Sequence, residues 1–218
     1  MKKLIVLLLA FVLLCAGLCG CATKATLTTG NGAGNFADKN DSSADFKPNP
    51  DYDGLMAVID IKDYGKIAIE LDHKNAPITV ENFVDLSRDG FYDGLTFHRI
   101  IEGFMMQGGD PQGNGYGGSD KTIKGEFKNN GVDNPLSHTR GAISMARNGV
   151  DMNSASSQFF IVHEDSLFLD DDYACFGYVI EGMDVVDAVC KDSQPIDNNG
   201  TIPPTAQPVI NTISINKK

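Results

Sequence analysis

Residues 97 to 110 read Phe97-His98-Arg99-Ile100-Ile101-Glu102-Gly103-Phe104-Met105-Met106-Gln107-Gly108-Gly109-Asp110. The stretch is too polar for plain core and too apolar for a plain loop. Phe97, Ile100, Ile101, Phe104, Met105 and Met106 surround one guanidinium, Arg99, and one amide, Gln107. The β-rich residue types, broken at Gly103, predict a short strand, a turn and a second short strand. Simple alternation predicts that Phe97 and Arg99 share one face of the first strand. It likewise puts Met105 and Gln107 on one face of the second. Arg99 and Gln107 would then stand beside a patch built from Phe104 and Met105. An apolar cleft holding a few fixed donors suits a small ligand. Two buried strands with Arg99 in an ion pair would use the same residues, and composition alone leaves both readings open.

The order of residues is more specific. Phe-His-Arg-Ile-Ile-x-Gly-Phe-Met-x-Gln-Gly-Gly-Asp resembles the signature of the cyclophilin-type peptidyl-prolyl cis–trans isomerases. A second block, Gly141-Ala-Ile-Ser-Met-Ala146 followed by Ser157-Gln-Phe-Phe-Ile161, resembles the other half of that family's site. A third, Phe168-Leu169-Asp170 through Phe176-Gly177, resembles its far wall. The resemblance implies an all-β fold: a closed eight-stranded antiparallel barrel capped by two α-helices, with the substrate groove on its outer wall. It implies rotation of Xaa-Pro bonds in proline-containing polypeptides by a monomer that needs no cofactor. Carried over residue by residue, it gives Arg99 the catalytic role. Phe104, Met105, Phe160 and Leu169 would form the pocket for the proline ring. Gln107 and Gln158 would hold substrate backbone, and Gly115, Ala146 and Arg147 would line the neighbouring groove. Tyr173 stands where many members have His. Phe168 stands where the best-known members have Trp, which binds the drug cyclosporin. The segment from Arg147 to Ser156 is longer than in those members.

The chain has 218 residues, 42% of them hydrophobic, and a formal net charge of −11. That length suits one domain plus extras. No run of Lys and Arg interrupts the acidity, which argues against a nucleic-acid partner. Met1-Lys2-Lys3 is a short positive start, and Leu4 to Leu14 is an almost unbroken apolar run. The run is shorter than the span of about 20 residues that crosses a bilayer, but it has the length of a signal-peptide core. Leu18-Cys19-Gly20-Cys21 then looks like a bacterial lipobox. This resemblance implies that residues 1–20 are a lipoprotein signal peptide and that Cys21 is the lipidated residue. The protein would be extracytoplasmic and lipid-anchored to a membrane. An ordinary cleaved signal or an uncleaved anchor is the alternative. Residues 21–50 are rich in Thr, Gly, Asn, Asp and Ser without apolar periodicity and are expected to be a flexible tether. Residues 51–218 are expected to be the isomerase domain.

Within that domain, Leu55 to Ile61 and Lys66 to Leu71 alternate as a hairpin around Asp63-Tyr64-Gly65. Pro77 opens a helix with a stripe at Val80, Phe83, Val84 and Ser87, widened by Leu86, that ends at Asp89-Gly90. The run from Pro111 to Ser119 carries four glycines, Gly113, Gly115, Gly117 and Gly118. No Gly-Lys-Ser/Thr follows it, so it reads as a loop whose backbone approaches a ligand and not as a phosphate cradle. Further strands are expected over Ala142 to Ala146, Gln158 to Val162, Tyr173 to Ile180 and Pro208 to Ile215. A second helix is expected around Met183, Val186 and Val189, with Val185 and Ala188 beside them.

Other chemistries find little support. His73, His98, His138 and His163 stand at no metal-ligand spacing, so no metal is expected. His98 beside Arg99 invites a general-base role, but a histidine that fixes local structure is the simpler reading. There is no Gly-x-Ser-x-Gly elbow for a serine hydrolase, and Ser144 lies in a strand-like run. Cys175 and Cys190 lack activating neighbours and read as small, unpaired core residues. Prolyl isomerisation requires neither nucleophile nor proton donor, which agrees with what the sequence lacks. A module that only binds proline-containing peptides is the second functional reading.

Overall fold

The computed structural model describes residues 46–218. The expected signal peptide, Cys21 and most of the expected tether lie outside the described residues. Eight strands and two α-helices follow in chain order. They are β1 (Leu55–Ile61), β2 (Gly65–Leu71), α1 (Pro77–Arg88), β3 (Thr96–Ile101), β4 (Met105–Asp110), β5 (Ala142–Met145), β6 (Phe159–Val162), β7 (Cys175–Glu181), α2 (Met183–Asp192) and β8 (Ile210–Lys217). One sheet holds all eight strands in the order β3-β4-β6-β5-β7-β2-β1-β8, and every pair is antiparallel.

The sheet is a curled half-barrel, where the sequence led us to expect a closed barrel. Its edge strands β3 and β8 meet only beside a single bridge, Thr96 with Val209. The Phe97 N–H donates to the Pro208 carbonyl at 2.9 Å, and the Ile210 N–H to the Leu95 carbonyl at 2.8 Å. Pro208 has no N–H with which to extend that ladder. This is also why β8 starts at Ile210 and not at Pro208.

The alternation read from β1 and β2 holds. Leu55, Ala57, Ile59 and Ile61 point inward, as do Ile67, Ile69 and Leu71. Helix α1 buries Val80, Phe83, Val84 and Ser87, the expected stripe, together with Thr79. Phe83 sits among Phe176, Tyr92 and Phe159, with ring centroids 5.2, 5.4 and 5.5 Å away. Offset and edge-on pairs of this kind add to the burial of the rings themselves. The Ala76 side chain offers no cap at the start of α1. The buried Glu126 carboxylate caps it instead, accepting the N–H groups of Ile78 at 3.0 Å and Thr79 at 2.8 Å. Helix α2 buries Val186, Val189 and Cys190.

Simple alternation fails in β3. Phe97 pairs with Gly108 and Arg99 with Gln107, with a bulge between the two pairs. An extra residue in one strand turns the following side chains to the other face. Phe97 therefore enters the core while Arg99 stays half-buried on the outer wall, so the two do not share a face. Gly108 belongs to this arrangement. A Cβ there would lie 2.8 Å from the Thr96 carbonyl oxygen and 2.9 Å from the Phe97 ring.

The outer face of the sheet is also apolar. Met105, Ala142, Phe160, Val162, Leu169 and Cys175 form a second buried cluster, against which Phe104, Ala146 and Tyr173 pack. The short 3-10 helix Leu167–Leu169 covers part of this cluster. What remains open is a groove.

Candidate active site

Arg99, Phe104, Met105, Gln107, Ala146, Arg147, Phe160, Leu169 and Tyr173 line one groove on the outer wall. Met105, Phe160 and Leu169 form its buried apolar floor. The Tyr173 ring meets Phe160 edge-on at 5.9 Å. Phe168 is 72% exposed and lies outside the groove lining, tilted against Phe104 with centroids 5.5 Å apart.

Four neighbours surround the Arg99 guanidinium. Its Nε donates to the Asn199 main-chain carbonyl at 2.8 Å. Its Nη1 donates to Gln107 Oε1 at 3.2 Å and lies 3.7 Å from the Met105 sulfur. Its guanidinium carbon is 5.9 Å from the centre of the Phe104 ring. Among the described residues Nη2 has no hydrogen-bond partner. Burial draws the guanidinium below the ordinary arginine range, and the oxygens of Tyr173 and Asp197 oppose this.

The two glutamines form a relay. Gln107 Nε2 donates to Gln158 Oε1 at 2.8 Å. Gln158 Nε2 donates to the carbonyls of Gly115 at 3.1 Å and Gly117 at 2.7 Å. Gly115 and Gln158 thus flank the groove, and the relay joins the glycine-rich loop to Arg99. The loop is held at its base by Asp110, whose carboxylate accepts the N–H groups of Gln112, Asn114 and Gly115. Burial works against the Asp110 charge, but these N–H groups hold its pKa below the usual carboxylate range. Arg147 is set between two rings, with its guanidinium carbon 4.9 Å from the centre of Tyr173 and 5.2 Å from that of Phe127. It donates to the carbonyls of Asp172 and Asn148.

His98 is buried and does not line the groove. Burial pushes its pKa down, as does the Arg99 charge, against an opposing pull from Asp110. A buried imidazole with a lowered pKa that does not line the cleft is a poor general base for a ligand held there. Cys175 and Cys190 are free and buried. Burial pushes the Cys190 thiol up to about 12 and the Cys175 thiol up as well, so both are poor nucleophiles.

Two supports were missed in the sequence. The His138 ring lies 6.0 Å from that of Phe160, nearly parallel to it, with Nδ1 2.7 Å from Asp170. Asp170 also accepts the His138 N–H and the Ser137 hydroxyl. An acidic residue just after the 3-10 helix, paired with a distant His, was the available signal. The Asn199 carbonyl on Arg99 left none, because it is a main-chain group.

An apolar cleft on a curled antiparallel sheet, walled by a fixed arginine and an amide, suits a small apolar group held beside fixed donors, and no cluster of residues fit to hold a metal ion occurs among the described residues. Comparison with known proteins carries this further. The family model for cyclophilin type peptidyl-prolyl cis-trans isomerase/CLD matches residues 56–215. Peptidyl-prolyl cis-trans isomerase B of Bacillus subtilis is 48% identical over 124 residues, covering 57% of this chain and 82% of the relative. Peptidyl-prolyl cis-trans isomerase cypE of Dictyostelium discoideum is 42% identical over 147 residues, covering 65% and 92%. A crystal structure of a cyclophilin type isomerase from Cryptosporidium parvum, in the presence of the dipeptide Ala-Pro, superposes with a TM-score of 0.66 at 29% identity. It covers 75% of this chain and 99% of that one. The chain belongs to the cyclophilin-type peptidyl-prolyl cis–trans isomerases.

Proposed function

We propose that this isomerase works by gripping the twisted Xaa-Pro amide through Arg99. The observation that carries the reading is the state of that side chain. It is half-buried, held at Nε and Nη1, and has Nη2 unspent beside an apolar pocket. Rotation about an amide is opposed by about 18–20 kcal/mol because the nitrogen shares its lone pair with the carbonyl. Near the transition state the sharing is lost and the nitrogen accepts a hydrogen bond. A donor fixed over it binds the twisted form better than either planar form, which is the condition for catalysis. A charge-assisted bond contributes about 1.5–3 kcal/mol, whereas a ~10⁵-fold acceleration needs about 7 kcal/mol. Positioning in the cleft and exclusion of water supply the rest. Phe104, Met105, Phe160 and Leu169 take the proline ring. Gln107 and Gln158 hold substrate backbone and orient the arginine. Gly115, Ala146, Arg147 and Tyr173 border the neighbouring subsite, and Phe168 forms its outer lip. The Cryptosporidium parvum relative solved in the presence of Ala-Pro supports a proline-containing substrate.

Exchange spectroscopy by NMR on a short proline peptide reads the rate without a coupled protease. Arg99→Ala is expected to lose most of the activity with its fold intact. Arg99→Lys should recover little, because a flexible point charge cannot hold the planar fork. Full activity in folded Arg99→Ala would remove the arginine from the mechanism. An inactive wild type that still binds the peptide would leave a binding module.

The working place of the enzyme is the second part of this reading. The apolar run ending in Leu18-Cys19-Gly20-Cys21 supports removal of residues 1–20 and lipid on Cys21. Residues 21–50 would tether a monomeric domain, residues 51–218, outside the cytoplasm, where it assists folding of exported proteins. Several acyl chains anchor a protein stably where one does not. Cys21→Ala should release the protein from membranes or stall its processing. Unchanged partition and mature mass would sink the lipoprotein reading.

A further inference from the structure

Arg99 is held by a loop that one carboxylate shapes. Asp197 Oδ1 accepts the N–H groups of Asn199 and Thr201, both at 3.0 Å. The Gly200 N–H reaches the Asp197 carbonyl at 3.2 Å. This knot presents successive main-chain groups to β3. The Gly200 carbonyl accepts the Ile100 N–H at 2.8 Å, Thr201 forms a bridge with Arg99, and the Ile202 N–H donates to the His98 carbonyl at 2.9 Å. The remaining group is the Asn199 carbonyl, which receives Arg99 Nε.

The fit is close. Gly200 has φ +85°, and a Cβ there would lie 2.4 Å from Ile101 Cγ1 and 2.7 Å from the Ile100 carbonyl oxygen. The loop therefore lies flat on the strand that carries the arginine. A guanidinium is planar, so holding Nε and Nη1 also fixes the direction of Nη2. One anchor comes from Gln107, inside the groove. The other depends on a loop nearly a hundred residues further along the chain.

We propose that Asp197 is a positioning residue for the isomerisation, folding the Asp197–Thr201 loop so that the Asn199 carbonyl locks Arg99 over the proline pocket. This rests on Arg99 acting as the donor. Asp197 does not line the groove, so its loss acts on the transition state through Arg99 and not on ground-state binding. Its two contributions, turn acceptor and counter-charge, are separable. Asparagine keeps an oxygen for the turn N–H groups and drops the charge.

The test measures kcat and KM by exchange spectroscopy across peptide concentrations. The proteins are wild type, Asp197→Ala, Asp197→Asn, Arg99→Ala and the Asp197→Ala/Arg99→Ala double variant. Misplacement of a reacting group by an ångström costs up to about a hundredfold. Asp197→Ala should therefore lower kcat by roughly ten- to a hundredfold, with KM nearly unchanged. Asp197→Asn should restore most of it. In the Arg99→Ala background, Asp197→Ala should add no further loss. The Arg99 Nε–H resonance, protected in the wild type, should lose its protection in Asp197→Ala and keep it in Asp197→Asn. An unchanged kcat in Asp197→Ala would overturn the proposal. So would the same fold-loss in the Arg99→Ala background, and so would failure of Asp197→Ala to fold, which would make the carboxylate merely structural. Full activity in Arg99→Ala alone would remove the underlying reading, a result distinct from an inert Asp197 beside an essential Arg99.

Discussion

Replacing Glu126 by Ala should destabilise the domain without touching its chemistry. The carboxylate accepts two N–H groups at the start of α1, from Ile78 and Thr79. No side chain at Ala76 can take over. Glu126 is 2% exposed, so water does not replace it freely. A buried donor left without a partner costs about 1–3 kcal/mol, and loss of an ordinary N-cap costs about 0.5–2 kcal/mol. Part of this is returned, because burial pushes the Glu126 pKa up and its removal relieves that desolvation. The net expectation is a loss of about 2–4 kcal/mol. In a domain of this size each kcal/mol moves Tm by about 2–4 °C, so Tm should fall by roughly 5–15 °C. Glu126→Gln keeps one acceptor oxygen and should fall between wild type and Glu126→Ala. Thermal melting followed by circular dichroism gives Tm, and peptide exchange at 25 °C gives activity. A Tm in Glu126→Ala within error of wild type would refute the capping argument. A loss of activity in the still-folded variant would show that α1 reaches the groove after all.

Two further predictions concern the groove and its pH response. Phe168 lacks the indole N–H that Trp would present, and its ring is already exposed on the lip; Phe168→Trp should tighten cyclosporin several-fold, since one such bond is worth about 0.5–1.5 kcal/mol. No change on titration would mean that this wall has been aligned wrongly. Acid should weaken the fold in two stages. Burial lowers the His98 and His138 pKa values, so their contribution is present above the unfolded value of 6.5 and fades as pH falls below it. Burial opposes the Asp110 and Asp170 charges, but the hydrogen bonds they accept lower both pKa values, so their contribution is present above 3.8 and fades further down. Tm measured from neutral pH to pH 2 should show both limbs, with Asp110→Asn flattening the lower one; an unaltered acid slope in that variant would exclude Asp110 as its source.

What was legible in the sequence is what local chemistry writes there. Period-two alternation gave the β1–β2 hairpin, and the 3.6-residue stripe from Val80 to Ser87 gave α1, because each element buries one face against one core. Of the residues named by the resemblance from Phe97 to Phe176, Arg99, Phe104, Met105, Gln107, Ala146, Arg147, Phe160, Leu169 and Tyr173 line one groove, while Gly115, Gln158 and Phe168 do not line it. The failures share a cause. Whether Phe97 and Arg99 face the same way depends on a bulge set by the register against Gly108, and register is a property of two strands. The start of α1 is capped by Glu126, 48 residues from Ile78. Strand β7 begins at Cys175, two residues later than its apolar pattern, because the Cys175 N–H turns back to the Tyr173 carbonyl at 3.1 Å.

The same reasoning bears on how Arg99, the proposed donor, is held. Arg99 and Gln107 are only eight residues apart, so their contact could be read from the strand–turn–strand pattern of residues 97 to 110. The Asn199 carbonyl could not, because every residue carries one and only the fold selects which is used. A guanidinium held from one side alone would swing about its own chain, and a swinging donor favours the planar and twisted amides almost equally. On the proposed mechanism, differential binding therefore requires the second anchor. The proposed catalytic geometry is thus specified jointly by a recognisable motif and by a loop that carries no motif.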